Sequence, residues 1–125
     1  MKAGRWEKGQ SPQQIYELNI KASMPCWQEA KIYLATGISH ARHLGYRAVK
    51  VIHGYGSSGV GGAIRIEARK WLDDQRYQCK ICDYIPGEAW NIFNPSVIYA
   101  LDLCPYLRHD HDLVFPNPGI TMVLI

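Results

Sequence analysis

The chain has 125 residues, with 14 Lys/Arg against 11 Asp/Glu and a formal net charge of +3. That length can bury one hydrophobic core without staples, and no run approaches the roughly 18 apolar residues that span a bilayer, which excludes a membrane helix. The charge is uneven: residues 1–80 hold 13 Lys/Arg against 6 Asp/Glu, and residues 81–125 hold 1 against 5. A basic N-terminal part favours polyanions through phosphate neutralisation and counterion release.

The opening MKAGRWEKGQSPQQ has no apolar h-region and reads as a flexible N-terminal arm over 1–14. With no export signal, the four cysteines read as reduced, mostly packed thiols of a cytoplasmic protein. Residues 15–125 then read as a single domain. Ile15 to Ile20 alternate as a strand does. Ser23 and Pro25 suit the start of a helix whose apolar stripe is Trp27, Ala30, Leu34, Ile38, Ala41 and Leu44, with Gly45 closing it. Ala48 to His53 is a compact strand. Ile64, Ala68, Trp71 and Leu72 make a second helical stripe, and Arg76 to Ile85 reads as a third strand. Residues 86–116 read as an irregular insertion, broken by prolines, with a short helix over Pro95 to Leu103. Gly119 to Ile125 is a nearly all-apolar last strand. The order β-α-β-α-β-β predicts a two-layer α/β sandwich with a four-stranded mixed sheet and two main helices.

Between the second strand and the second helix the chain carries five glycines in nine positions: Gly54, Gly56, Gly59, Gly61 and Gly62. Glycine lets the backbone approach a ligand or take positive φ. Successive amides form an anion-binding nest, and the following helix adds its positive end. Ser57 and Ser58 add hydroxyl donors, so the loop is suited to phosphate. Gly54-x-Gly56-x-x-Gly59 has the spacing of a dinucleotide fingerprint, but the acid that should close the next strand is misplaced: Asp73 and Asp74 come too early and Asp83 too late. A P-loop would need a Lys-Ser/Thr pair that does not follow. Two readings remain: a loop built only for its turn, or one that holds the sugar-phosphate chain of a nucleic acid. Arg65, Arg69 and Lys70 on the helix would hold it, and Tyr55 would either stack on an unpaired base or wedge the loop.

His53 sits where the strand ends, the usual place for function in α/β sheets. A neutral imidazole there could act as a general acid/base, brace the loop or touch phosphate. Other clusters carry less. Cys79-x-x-Cys82 invites zinc, but on a regular strand the two thiols face opposite sides. His109-Asp110-His111-Asp112 reads as an exposed polar loop rather than a metal site. His40 and His43 share a helix face. No cofactor and no metal are expected.

The stretch Lys50 to Leu72 resembles the second motif of the small MutS-related (Smr) domain, a strand ending His-Gly-x-Gly and leading to a helix that begins Leu-Arg. The matching residues are His53, Gly54, Gly56, Ile64 and Arg65. Gly119, Thr121, Val123 and Ile125 resemble that domain's terminal Gly-x-Thr-x-Val-x-Leu strand. The resemblance covers most of Tyr16 to Ile125, apart from 86–116. It implies a fold like the C-terminal domain of translation initiation factor 3 and nucleic-acid binding, RNA ahead of DNA, with the ribosome a candidate partner. In several members of the family it also implies endonuclease activity, here with His53 as the catalytic candidate; a non-enzymatic protein-interaction module is a further alternative. Two features depart from the pattern. Where the family has Leu-Asp-Leu-His-Gly, this chain has Leu18-Asn19-Ile20-Lys21-Ala22, which replaces a carboxylate base by an amide and a histidine by a cationic phosphate contact, Lys21. The glycine loop is also longer than the common form.

Overall fold

Apolar side chains at three- and four-residue steps wind Trp27–His43 into helix α1, which buries Ala30, Leu34, Gly37, Ile38 and Ala41. The computed structural model describes residues 12–22, 26–54 and 61–125. Ser23 and Pro25 lie outside them, and the described helix starts with Cys26 as N-cap. At its other end Gly45 takes φ 90°. Its N–H donates to Arg42 and that of Tyr46 to Ala41, the paired bonds of a Schellman stop, as the glycine predicts.

The remaining elements are β1 (Tyr16–Asn19), β2 (Ala48–Ile52), α2 (Gly61–Tyr77), β3 (Asp83–Pro86), α3 (Pro95–Leu103) and β4 (Ile120–Leu124). Short 3-10 turns occupy Gly87–Ala89, Pro105–His109 and His111–Leu113. The sheet order is β1-β2-β4-β3. β1 and β2 are parallel, with Tyr16 opposite Val49 and Asn19 opposite Ile52; β4 runs antiparallel to both β2 and β3. All five β4 residues are buried, as a central apolar strand should be. The expected α/β sandwich with a mixed four-stranded sheet is the architecture found.

Strand alternation divides the interior in two. Val49, Val51 and Val123 meet the stripes of α1 and α2 on one face. Ala48, Ile85, Met122 and Leu124 point to the other, where Trp90, Val97, Leu101, Leu107 and Leu113 cover them. The stretch 86–116 therefore carries α3 and the 3-10 turns and roofs the second sheet face.

One expected element is wrong. Arg76 to Ile85 is not a strand: α2 continues through Tyr77, and the strand begins only at Asp83. The last turns of the helix carry an Asp73–Arg76 ion pair, and the helix closes on Cys79 at φ 61°. There the Cys79 N–H donates to Arg76 and the Lys80 N–H to Gln75, a second Schellman stop with cysteine where glycine is usual. A left-handed non-glycine residue costs about 1–2 kcal/mol, so the local sequence gives no stop signal.

Candidate nucleic-acid interface

β1 and β2, being parallel, end at one edge of the sheet. The Ile20 N–H donates to the Ile52 carbonyl at 3.0 Å, which brings Lys21 and His53 out at the same edge. The Asn19 side-chain oxygen accepts from the amides of Lys21 and Ala22, both at 3.0 Å, so Asn19 turns the chain and leaves Lys21 exposed. Across the edge, the His53 and Gly54 N–H groups both donate to the Gly119 carbonyl at 3.0 Å. Gly54 has φ 76°, a conformation that selects glycine.

His53 is fully buried. Its Nδ1 lies 2.6 Å from the Gly54 carbonyl oxygen and its Nε2 2.8 Å from Thr121 Oγ1. These partners assign the proton to Nδ1, which donates to Gly54, while Nε2 accepts from the threonine hydroxyl. Thr121 Oγ1 accepts in turn from Arg69 Nε at 3.0 Å. Burial, reinforced by the Arg69 and Arg65 charges, lowers His53 from its ordinary 6.5 to about 4 against the opposing pull of the Gly54 carbonyl. The imidazole is neutral at physiological pH, and both its nitrogens are occupied.

Arg69, expected to face a phosphate, is drawn inward. Besides Thr121 it grips both oxygens of Glu88 at 2.9 and 2.7 Å and donates to the Ile120 and Pro118 carbonyls at 3.2 and 3.4 Å. Burial would raise Glu88, but the guanidinium outweighs it and holds the carboxyl below its ordinary range. Arg65 is half-buried on the same helix, near enough to act electrostatically on both His53 and Glu88. Lys70 is exposed, and among the described residues its ion-pair partner is Glu67 at 3.5 Å. Gly61 and Gly62 open α2, whose first turn carries no acidic residue. Tyr55, Gly56, Ser57, Ser58 and Gly59 lie outside the described residues, as do residues 1–11 of the arm.

The histidine–aspartate run is not the exposed loop expected. Lys50, inside β2, is buried and bonded to Asp110; Asp112 lies 2.7 Å from the same ammonium. Trp90 Nε1 donates to the other Asp110 oxygen at 2.9 Å, and Asn117 Nδ2 donates to Asp112 at 3.1 Å. Burial pulls Lys50 down, but the two carboxylates prevail and hold it above its ordinary value; Asp112, which burial would raise, is lowered by Lys50 and Asn117. The sequence signal for this cluster is a lysine within an otherwise apolar strand, a charge that must find partners. His109 and His111 remain exposed, and among the described residues no group of three His, Cys, Asp or Glu stands in ligating positions.

These features define an α/β domain with a glycine-introduced basic helix beside two strand ends. The Smr domain family model matches residues 27–89, half of the chain, and the chain belongs to that family. Smr domains generally bind nucleic acid, and some members are endonucleases. Comparison with curated proteins and with solved structures finds no match, so the likeness to the C-terminal domain of translation initiation factor 3 rests on the family resemblance alone. Among the described residues no helix is long and apolar enough to cross a membrane.

Proposed function

We propose that this Smr domain binds the sugar-phosphate backbone of nucleic acid, RNA ahead of DNA, at the edge where β1 and β2 end. The observation that carries the reading is the β1–β2 register, Asn19 opposite Ile52. It joins two motifs far apart in sequence, the cationic end of β1 and the His-Gly turn of β2, beside the opening of α2. Lys21, Arg65 and Lys70 are the phosphate contacts. The positive end of the α2 dipole, at Gly61 and Gly62, completes the socket. The Gly54 amide is already bonded to Gly119, so Gly54 shapes the turn rather than donating to ligand. His53 and Arg69 are positioning residues: their hydrogen-bond chain fixes the His53–Gly54 turn to β4. A buried, neutral, fully bonded imidazole favours this role over proton transfer.

The test is a titration of labelled single-stranded RNA, duplex DNA and branched DNA, with and without EDTA, scored for shift and for cleavage. Binding should weaken steeply with salt, and Lys21→Gln with Arg65→Gln should flatten that dependence by roughly 0.7–0.9 in slope for each cation that no longer meets a phosphate. Binding that ignores salt overturns the reading. One observation favours a second reading, a protein-interaction module. Segment 92–115 exposes Ile92, Phe93, Ile98, Tyr99, Val114 and Phe115, and apolar residues that join into one contiguous patch mark protein contacts. That reading gains if no nucleic acid binds.

A further inference from the structure

A strand through 79–82 would set Cys79 and Cys82 on opposite faces, but no strand exists there. They occupy the turn between α2 and β3. Cys79 forms the left-handed helix stop, and the Cys82 N–H donates to the Leu124 carbonyl at 2.8 Å. Both thiols are exposed and unpaired. Both line one open cavity of 430 Å³ whose rim carries Arg42, Arg76 and Lys80. Arg42 donates to the Lys80 carbonyl at 2.6 Å, tying the turn to the end of α1. Arg76 is held by Asp73 and Asp83. Among the described residues the Lys80 ammonium has no ion-pair partner and is a cation available to a ligand.

We propose that Cys79 and Cys82 form a dithiol site for thiol–disulfide exchange with an anionic low-molecular-weight disulfide of the glutathione class. The cationic rim attracts its carboxylates. One cysteine thiolate attacks a sulfur of the reagent; a protein–glutathione S–S bond forms as the reagent's S–S bond breaks, and one glutathione leaves as thiolate. The second cysteine thiolate then attacks the protein-side sulfur and expels the other glutathione. Two cysteine thiols are oxidised to one disulfide, and glutathione disulfide is reduced to two thiols, with protons exchanged through solvent. No step involves nucleic acid, so the site stands or falls independently of the binding reading.

The whole chain is equilibrated in buffers of increasing glutathione disulfide to glutathione ratio, unreacted thiols are alkylated, and peptides are mapped by mass. Cys79 and Cys82 should lose alkylation together, two hydrogens lighter, before exposed Cys26 reacts. Cys82→Ser should stop at a glutathione adduct on Cys79, and Cys79→Ser at one on Cys82. At low salt, glutathione disulfide should react severalfold faster than uncharged hydroxyethyl disulfide, and Lys80→Gln should narrow that ratio. The proposal is overturned if both cysteines stay alkylated in oxidising buffer, if Cys26 is protected equally, or if the two reagents react at the same rate.

Discussion

The imidazole of His53 and the hydroxyl of Thr121 meet at 2.8 Å across two antiparallel strands, 68 residues apart in sequence. His53 extends β2 beyond Ile52, the partner of Ile120, and its N–H is taken by Gly119. The side-chain bond therefore runs diagonally along the same sheet face as Val51 and Val123. It closes a chain from Glu88 through Arg69 and Thr121 to His53 and the Gly54 carbonyl. The His53–Gly54 turn is thus clamped to α2 and β4.

This clamp should appear in the pH dependence of stability. His53 is lowered from 6.5 to about 4 by folding, so between those values the unfolded chain binds a proton that the folded chain excludes. The contribution is fully present above pH 6.5 and is lost progressively as pH falls toward 4, reaching about 3 kcal/mol. Urea denaturation from pH 7.5 to 4.5 should show a falling midpoint, and the fall should be shallower in His53→Gln. The lowered carboxyls of Glu88 and Asp112 act in a separate, more acidic window, because their contribution is lost only below the ordinary carboxyl range.

Two neighbouring cations on α2 should separate by role. Arg69→Ala removes the Glu88 grip and leaves the Thr121 hydroxyl and two carbonyls with fewer donors, so a loss of about 2–3 kcal/mol in stability is expected. Lys70→Ala should stay within about 0.5 kcal/mol, as surface changes do. On nucleic-acid affinity the order reverses when binding is measured well below the melting temperature: Lys70→Ala weakens it with a reduced salt slope, and Arg69→Ala, whose guanidinium is turned inward, weakens it less and leaves the slope unchanged. Parallel thermal melts and anisotropy titrations decide.

Where the sequence carried a local physical signal, the fold was readable. The stripe from Trp27 to Ala41, the glycine stop at 45, the Pro95 start of α3 and the apolar β4 all appear where their side chains require them. The missed boundary had no such signal, because Cys79 fills a glycine-type conformation and Arg76 to Ile85 alternates like a strand. At the site, the loop and its cations were legible as motifs. Their division of labour was not: whether Arg69 reaches outward or in depends on Glu88 and Thr121, 19 and 52 residues away. The Lys50 cluster was hidden for the same reason, since its partners come from a run that read as a polar loop.

That cluster makes the roof over the second sheet face vulnerable at one atom. Lys50→Met leaves Asp110 and Asp112 buried without their counter-charge, a change that typically costs about 3–5 kcal/mol. Trp90, hydrogen-bonded to Asp110 and fully buried, should report it through altered near-UV circular dichroism. Adding Asp110→Asn and Asp112→Asn should recover most of the loss, because the neutral triple variant no longer buries an unpaired charge. Failure of that rescue would mean that the loss comes from the missing hydrogen bonds and packing of Lys50 rather than from buried unpaired charge.

Two glycines give the sharpest contrast in backbone tolerance. A Cβ on Gly87 would overlap the Asn117 carbonyl oxygen and lie 2.7 Å from that of Ile120. Both are backbone atoms at the base of β4, so Gly87→Ala must displace the segment that carries Gly119 and Thr121. A loss at the severe end of single substitutions, about 4 kcal/mol, is expected, together with weakening of the His53 clamp. A Cβ on Gly37 would meet only the Leu18 side chain, its methyls at 2.5 Å, and that half-buried side chain at the sheet edge can rotate away. The repacking opposes a helix-propensity gain of about 1 kcal/mol for alanine over glycine, so Gly37→Ala should be close to neutral. Urea melts of the two variants side by side check the pair. Equal destabilisation would show that the fit of α1 against Leu18 is as rigid as the packing of Gly87 on β4.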